Sequence, residues 1–155
     1  PSVAFVVLPA QVTAQYWRIE LFDAANPAGN IALGRLFLCP AWQPAYNISY
    51  GLQWGHETTT QVEQSRGGQE FFDRQQPIRT VRFALDWLTQ NEVFGPGFDL
   101  VRRQGIDREV FFVYDPADTQ FSVQRSFPAR LKALPSFLLA NKAQNTTALE
   151  LRELI

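Results

Sequence analysis

The residue types that most often carry catalysis are scarce in this sequence. His56 is the only histidine and Cys39 the only cysteine among 155 residues. A lone histidine leaves one candidate for the base of a Ser–His–Asp triad or a Cys–His dyad. A Cys–His dyad would require a fold that brings Cys39 and His56 together. Neither residue lies in a nucleophile motif such as G-x-S-x-G. The favoured interpretation is a partly buried cysteine and a loop histidine beside Gly55.

Carboxylates are numerous enough for glycosidase-type acid–base chemistry, which needs two of them about 5–10 Å apart. However, several fall at expected strand ends or turns, where turn hydrogen bonding and solvation are their ordinary roles: Asp23, Asp86, Asp115 and Asp118. One cysteine and one histidine exclude an internal disulfide and the usual metal cages. The sequence therefore predicts no catalytic residue, no cofactor, no metal site and no enzyme.

Four aromatic residues recur at four-residue spacing in the middle of the chain. This spacing would place the rings on one face of a helix, but Pro44 and Gly51 interrupt the segment and argue against a helix. Aromatic rings fill cores, anchor partner proteins and stack against sugar faces. Two interpretations therefore stay open for these rings: packing in the core or between subunits, and stacking against a glycan. The candidates for interface or glycan contact are Trp42, Tyr46, Tyr50 and Trp54.

Length and charge exclude further classes of function. We expect a single β-rich domain over residues 1–155, and the start at Pro1 indicates a processed protein or the ordered part of a longer chain. Fourteen Lys and Arg against fifteen Asp and Glu give a formal net charge of −1. Their scatter along the chain argues against nucleic-acid binding. The apolar run SVAFVVLPA is too short to span a bilayer, so we expect no membrane insertion.

The first quarter of the chain predicts strands. Residues 3–8 form an apolar run that is typical of a strand buried on both faces. In the next segment apolar and polar residues alternate, and the face expected to meet the core consists of Trp17, Ile19 and Leu21. Residues 26–30 supply turn chemistry before a returning strand over 31–38. Residues 15–38 are thus predicted to form a hairpin with a longer loop.

The remaining strands are predicted from the same alternation. Two or three short strands are expected within residues 47–64, and Gly67 and Gly68 offer a turn before the next. Residues 80–87 alternate most clearly, and their inward face is expected to consist of Val81, Phe83, Leu85 and Trp87. Further strands are expected over residues 109–115, 120–127, 129–134 and 146–154.

One short or broken helix is expected around residues 89–104. Thr89 and Glu92 match a capping box, in which each side chain bonds the other residue's backbone amide. Gly95, Pro96 and Gly97 interrupt the helix, and Gly105 ends it. The predicted fold class is therefore mainly β: an antiparallel, jelly-roll-like β-sandwich with this single broken helix.

Several segments of the sequence resemble known protein families. YWRIE at residues 16–20 and GRLF at residues 34–37 resemble the closing strands of discoidin-type, galactose-binding-like β-sandwiches. More widely, residues 16–51 together with RFALDWLTQNE and VFFVYDPAD are similar to a family of tailed-bacteriophage minor tail or tail-tip virion proteins. The front half expected of a full discoidin-like sandwich is absent ahead of Ser2, so it was lost or is completed by residues outside this chain.

The wider resemblance implies a structural role. It implies a virion protein of the tail tip or baseplate, produced in the bacterial cytoplasm, whose partners are other tail proteins and copies of itself in a ring or trimer. The resemblance brings no shared catalytic motif. The alternative that it leaves open is a carbohydrate-binding module that contacts host-surface glycans.

Overall fold

A computed structural model describes residues 4–154. The described chain divides into two compact units: Phe5–Trp42 forms one, and Ala4 together with residues 43–154 forms the other. Strands account for 31% and helices for 13% of the structure. The prediction of a mainly β chain with antiparallel sheets and a short broken helix is confirmed, and the architecture is consistent with a β-sandwich-like fold. The prediction of a single domain stays a prediction.

The strands of the larger unit are β1 (Gln53–Glu57), β2 (Gln61–Gln64), β3 (Glu70–Asp73), β4 (Ile78–Leu88), β5 (Val110–Phe112), β6 (Phe127–Leu131), β7 (Phe137–Asn141) and β8 (Gln144–Glu153). The main sheet is six-stranded, in the order β1-β4-β8-β6-β5, and β7 also pairs with β8. β2 and β3 pair with each other in a separate two-stranded sheet. All these pairings are antiparallel.

The core lies on one face of the main sheet. Alternate side chains of β4, β6 and β8 point to this face because strand side chains repeat every second residue. The buried apolar residues of these strands are Val81, Phe83, Leu85, Leu88, Phe127, Ala129, Leu131, Leu149 and Leu151. Burying side chains of this size contributes roughly 1.5–3 kcal/mol each, which makes this face the main source of stability of the larger unit.

The end of β4 departs from the predicted alternation. Val81, Phe83 and Leu85 face the core as expected, but the register with β8 shifts between Leu85 and Leu88. The shift turns Trp87 outward, where it is 52% exposed, and brings Leu88 inward at 1% exposed. The prediction that Trp87 lies inside is therefore wrong, because a bulge adds a residue and reverses the faces of the strand beyond it.

The broken helix follows β4 as predicted. It consists of α1 (Gln90–Glu92), a π-helical turn (Val93–Gly97) that contains Pro96, and α2 (Phe98–Gln104), which ends at Gly105 with a positive φ of 55°. Thr89 Oγ1 accepts a hydrogen bond from the Glu92 amide at 3.3 Å, and Glu92 Oε2 accepts one from the Thr89 amide at 2.9 Å. The capping box predicted from the sequence is confirmed.

Two later segments differ from the predictions. The expected strand over residues 120–127 instead contains α3 (Ser122–Arg125) before β6 begins at Phe127. β7 lies in a segment for which the sequence predicted no strand. The expected strand over residues 109–115 is confined to β5, whereas β8 confirms the predicted final strand.

The N-terminal unit contains the predicted turn without the predicted strands. Asn26 Oδ1 accepts a hydrogen bond from the Ala28 amide at 3.0 Å, and Gly29 has a φ of 66°. No strand is assigned in residues 4–42, so the predicted strands over 4–8, 14–22 and 31–38 are wrong; Val3 lies outside the described residues. Trp17, Ile19 and Leu21, which were expected to face the core, are exposed, because no strand in residues 4–154 pairs with their segment.

Candidate interaction surface

The four predicted aromatic residues have different surroundings. Trp42 is half-buried in the N-terminal unit. In the larger unit, Tyr46 is 63% exposed, and Tyr50 is fully exposed beside Gly51, whose φ is 104°. Trp54 lies on β1 and is partly exposed. The common helical face that the four-residue spacing allowed is absent from the described segment 42–54, because it contains an extended loop and a strand.

Trp54 belongs to a cluster of aromatic rings on the core face. Its ring meets three others edge-on, at centroid distances of 6.1 Å to Phe112, 5.8 Å to Tyr114 and 6.4 Å to Phe127. Edge-to-face pairs of this geometry add about 0.5–1.5 kcal/mol each beyond the area they bury. These ring contacts hold one side of Trp54 by packing, while 42% of the residue is exposed. Both packing and glycan stacking stay predictions for Trp54.

Tyr46 forms an exposed aromatic pair with the outward-turned Trp87. Their ring centroids are 6.5 Å apart with an interplanar angle of 51°. The loop that carries Tyr46 is fixed at two points: the Ala45 amide donates to Glu92 Oε1 at 2.7 Å, and the Ser49 amide donates to the carbonyl oxygen of Ala84 at 2.9 Å. The sequence missed this pair because the bulge that exposes Trp87 depends on the register with β8.

An ion pair beside the aromatic cluster of Trp54 joins strands β4 and β8. Glu153 Oε2 accepts hydrogen bonds from the backbone amide and Nε of Arg79 at 3.1 and 2.8 Å, and Arg79 Nη2 pairs with Glu153 Oε1. Arg79 Nη1 also donates to the carbonyl oxygens of Val123 and Gln124, at 2.8 and 3.0 Å. Its guanidinium lies 4.6 Å from the ring centroid of Phe127. This pair therefore connects β4, β8 and α3.

The environment of Glu153 lowers the pKa of its carboxyl group. Burial raises this pKa, but the hydrogen bonds from Arg79 and the positive charges of Arg79 and His56 together outweigh burial. Glu153 is therefore held in its ionised form. An ion pair with this many partners is typical of a structural connection between elements.

The β2–β3 hairpin forms a separate arm, defined here as residues 58–77. At its base, Thr60 Oγ1 accepts a hydrogen bond from the Gln75 amide at 3.0 Å. At its tip, the Ser65 amide donates to the Gln69 carbonyl oxygen at 2.8 Å, and Gly68 has the positive φ of a turn. All eight strand residues of the arm are exposed.

A row of phenylalanine rings runs from the broken helix to β7. Phe98 lies 5.2 Å from Phe94 and stacks on Phe137 at 5.4 Å, with an interplanar angle of 22°. Gly97 permits this approach, because an added Cβ would lie 3.1 Å from the Phe137 ring and 3.0 Å from the Glu92 carbonyl oxygen. A groove of about 280 Å³ adjoins the row and is lined by Phe98, Val101, Arg102, Pro135, Ser136 and Phe137.

The residues considered for catalysis have separate local surroundings. Cys39 is exposed in the N-terminal unit, and His56 is exposed on β1. Asp115 and Asp118 accept backbone hydrogen bonds within their own turn, from Ala117 at 2.8 Å and from Phe121 at 2.9 Å respectively. Among residues 4–154, no three His, Cys, Asp or Glu side chains converge as a metal site would require. The same residues contain no helix of the length and hydropathy needed to cross a membrane.

Comparisons with protein-family models, with curated proteins and with solved structures found no match to this chain.

Proposed function

We propose that this chain is a structural component of a bacteriophage tail, in the tail-tip or baseplate region, and that it assembles with copies of itself and with other tail proteins. The resemblance of residues 16–51, RFALDWLTQNE and VFFVYDPAD to tail-tip virion proteins motivates this role. The observation that carries the assembly role is apolar surface exposed at the arm and at β7. Contiguous exposed apolar surface marks sites of protein interaction.

The exposed apolar side chains of the arm and of β7 are more typical of a subunit in an assembly than of an isolated protein. Val62, Phe71 and Phe72 are exposed on the arm, and Leu138 and Leu139 are exposed on β7. Aromatic side chains are enriched at interfaces, where they supply large contact area at a low cost in side-chain entropy. A subunit with such surfaces needs no reaction centre, because its function is to hold neighbours in register.

The experiment is to test for the chain in purified virions of a phage that encodes it. Mass spectrometry of density-purified particles should detect the chain, and antibodies against it should label one end of the tail in electron micrographs. Particles grown with a stop codon early in the reading frame are the control and should lack both signals. A chain that is absent from purified particles would contradict the proposal.

Carbohydrate binding is the second candidate, favoured by the exposed pair of Tyr46 and Trp87 and by Tyr50. Sugars stack on aromatic faces. Trp87 lies on β4 beside Tyr46, and the loop that carries Tyr46 is held by hydrogen bonds to Glu92 and Ala84. A glycan array should then give a signal that Trp87→Ala and Tyr50→Ala remove. Phe22→Ala, a change at an exposed ring of the N-terminal unit, is the control. Absence of any glycan signal from the folded protein counts against this candidate.

A further inference from the structure

A polar depression lies next to the exposed pair of Tyr46 and Trp87. Leu88 points inward at 1% exposed, whereas Trp87 points outward at 52%. Thr89 has an extended backbone, with φ −72° and ψ 160°, so its side chain lies on the same outward face as that of Trp87. Two residues of extended chain span roughly 6.6 Å. Trp87 therefore borders the depression that Thr89 helps to line.

The depression is built from two segments that β4 and β8 bring together. Its volume is about 320 Å³, and it is lined by Thr89, Gln90, Asn91, Lys142 and Ala143. Lys142 and Ala143 form the turn between β7 and β8. Leu88 pairs with Asn145, whose Nδ2 donates to the Leu88 carbonyl oxygen at 3.4 Å. This pairing places the turn beside the end of β4.

The polar side chains of the depression are available to a ligand. Gln90, Asn91 and Lys142 are exposed, and their side chains make no hydrogen bond or ion pair within residues 4–154. A carboxamide both donates and accepts hydrogen bonds, whereas an ammonium group only donates. Sugar hydroxyl groups also do both, so two carboxamides and one ammonium group suit a ligand rich in hydroxyl groups. Small-molecule sites combine aromatic surface with a few polar groups of this kind.

The charges around the depression do not favour an anionic ligand. Lys142 is the one charged residue that lines it. Residues 86–92 carry two carboxylates, Asp86 and Glu92, and the loop over residues 43–52 carries no charge. These segments therefore hold one positive charge against two negative ones. A neutral sugar gains the hydrogen bonds without the repulsion that the carboxylates exert on an acidic sugar.

We propose that the depression and the pair of Tyr46 and Trp87 form one binding site for a neutral glycan, in which a hexose ring stacks on Trp87. Hydroxyl groups of the glycan bond to Gln90, Asn91 and Lys142. The rings alone accept any sugar with an apolar face, whereas the depression selects by the positions of hydroxyl groups. This inference rests on the second proposed function, carbohydrate binding, and deepens it by identifying the ligand class and the residues that select it.

The test uses a glycan array that carries neutral oligosaccharides of glucose, galactose and mannose together with uronic- and sialic-acid counterparts. We expect the full chain to bind members of the neutral set. Asn91→Ala and Lys142→Met should each weaken this binding about ten-fold, as the loss of one hydrogen bond would. Trp87→Phe should keep most of the binding that Trp87→Ala removes. Gln61→Ala removes an exposed carboxamide of β2 and is the matched control, which should bind as the full chain does.

Nuclear magnetic resonance adds a measurement of direct contact. In isotope-labelled protein, the side-chain amide resonances of Gln90 and Asn91 should shift on titration with the neutral oligosaccharide that gives the strongest array signal. The side-chain amide resonances of Gln61 should not move. Unshifted resonances of both Gln90 and Asn91 at saturation would overturn the role of the depression.

Different results would overturn different claims. Array binding that Trp87→Ala removes but that Asn91→Ala and Lys142→Met leave unchanged overturns the role of the depression and leaves carbohydrate binding in place. Binding confined to the acidic glycans overturns the neutral ligand class. A folded chain that binds no glycan overturns carbohydrate binding and this site with it, while detection of the same chain in purified virions still supports the tail role.

Discussion

At the scale of single residues, the larger unit depends on side chains that connect distant parts of the chain. Arg79 and Glu153 are 74 positions apart, and their ion pair joins β4 to β8 while Arg79 also binds the end of α3. Both side chains are mostly buried. Removal of one partner leaves the other charge buried without its main hydrogen bonds, so this pair is sensitive to mutation.

Arg79→Met should lower the free energy of unfolding by about 2–3 kcal/mol, because Glu153 loses its main partner while remaining largely shielded from water. Urea unfolding followed by circular dichroism measures this change. Arg103→Met is the matched control: Arg103 pairs with Asp99 at 3.4 Å on the exposed face of α2 and should cost less than about 0.5 kcal/mol. Equal losses in the two variants would contradict the structural role of Arg79.

Acid should weaken the same connection. The folded protein lowers the pKa of Glu153, so its stabilising effect is complete above the unfolded value of about 4.3 and is lost as the pH falls through the lowered folded value. The stability difference between the full chain and Arg79→Met should therefore shrink as the pH is lowered below about 4.3. Urea titrations at a series of pH values test this, and a difference that grows on acidification would be inconsistent with the pair.

Trp54 and Tyr50 should respond differently to truncation. Trp54→Ala removes three edge-to-face ring contacts and should cost about 3 kcal/mol or more, whereas the fully exposed Tyr50 should change stability by less than about 0.5 kcal/mol when replaced by Ala. Thermal unfolding distinguishes them. A neutral Trp54→Ala would contradict the packing role of its ring.

At the scale of elements, the start of the broken helix also holds the loop that carries Tyr46 in place. Glu92 completes the capping box with Thr89 and also accepts a hydrogen bond from the Ala45 amide. That bond from Ala45 is the largest cause of the lowered pKa of Glu92, with burial opposing it and the backbone amide and hydroxyl of Thr89 adding to it. The helix start therefore positions the loop that carries Tyr46.

Thr89→Ala should cost about 1 kcal/mol through loss of the cap, and Glu92→Ala should cost more because it also frees the Ala45 amide. Chemical unfolding gives the stabilities, and hydrogen exchange should show faster exchange of the Ala45 amide in Glu92→Ala than in Thr89→Ala. Gln90→Ala, in the same exposed turn, is the control and should be nearly neutral. Unchanged exchange at Ala45 in both variants would rule out the coupling.

At the scale of the whole molecule, the two units differ in how their backbones are bonded. β4 and β8 pair through most of their lengths and carry much of the core. In the N-terminal unit, Arg18 pairs with Glu20, and the Arg35 guanidinium lies 5.8 Å from the Phe37 ring. Contacts between residues two apart are typical of extended backbone, although no strand ladder is assigned there.

Hydrogen exchange should therefore separate the two units. Amides of β4 and β8 should exchange slowest, while most amides of residues 15–38 should exchange rapidly because no ladder protects them. Mass spectrometry of peptic fragments measures both regions in one experiment. Slow exchange over residues 14–22 and 31–38 in the monomer would support the hairpin predicted from the sequence instead.

The sequence by itself determined the features that depend on near neighbours. Alternation located β4 and β8, turn chemistry located the arm tip and the turn at Asp115, and the spacing of Thr89 and Glu92 located the helix start. Each of these follows from contacts within a few residues or from a period of two. Mainly β architecture was therefore predictable.

Tertiary structure decided which face of each strand is covered and by what. The bulge that exposes Trp87 needs the register with β8, the bond between Arg79 and Glu153 needs strands brought together from distant positions, and β7 forms because β8 is beside it. The N-terminal segment shows the same limit, since its alternation defines a face but supplies no strand to pair with. Periodicity is a local property, whereas pairing and burial depend on a partner surface that only the folded chain or a neighbouring molecule provides.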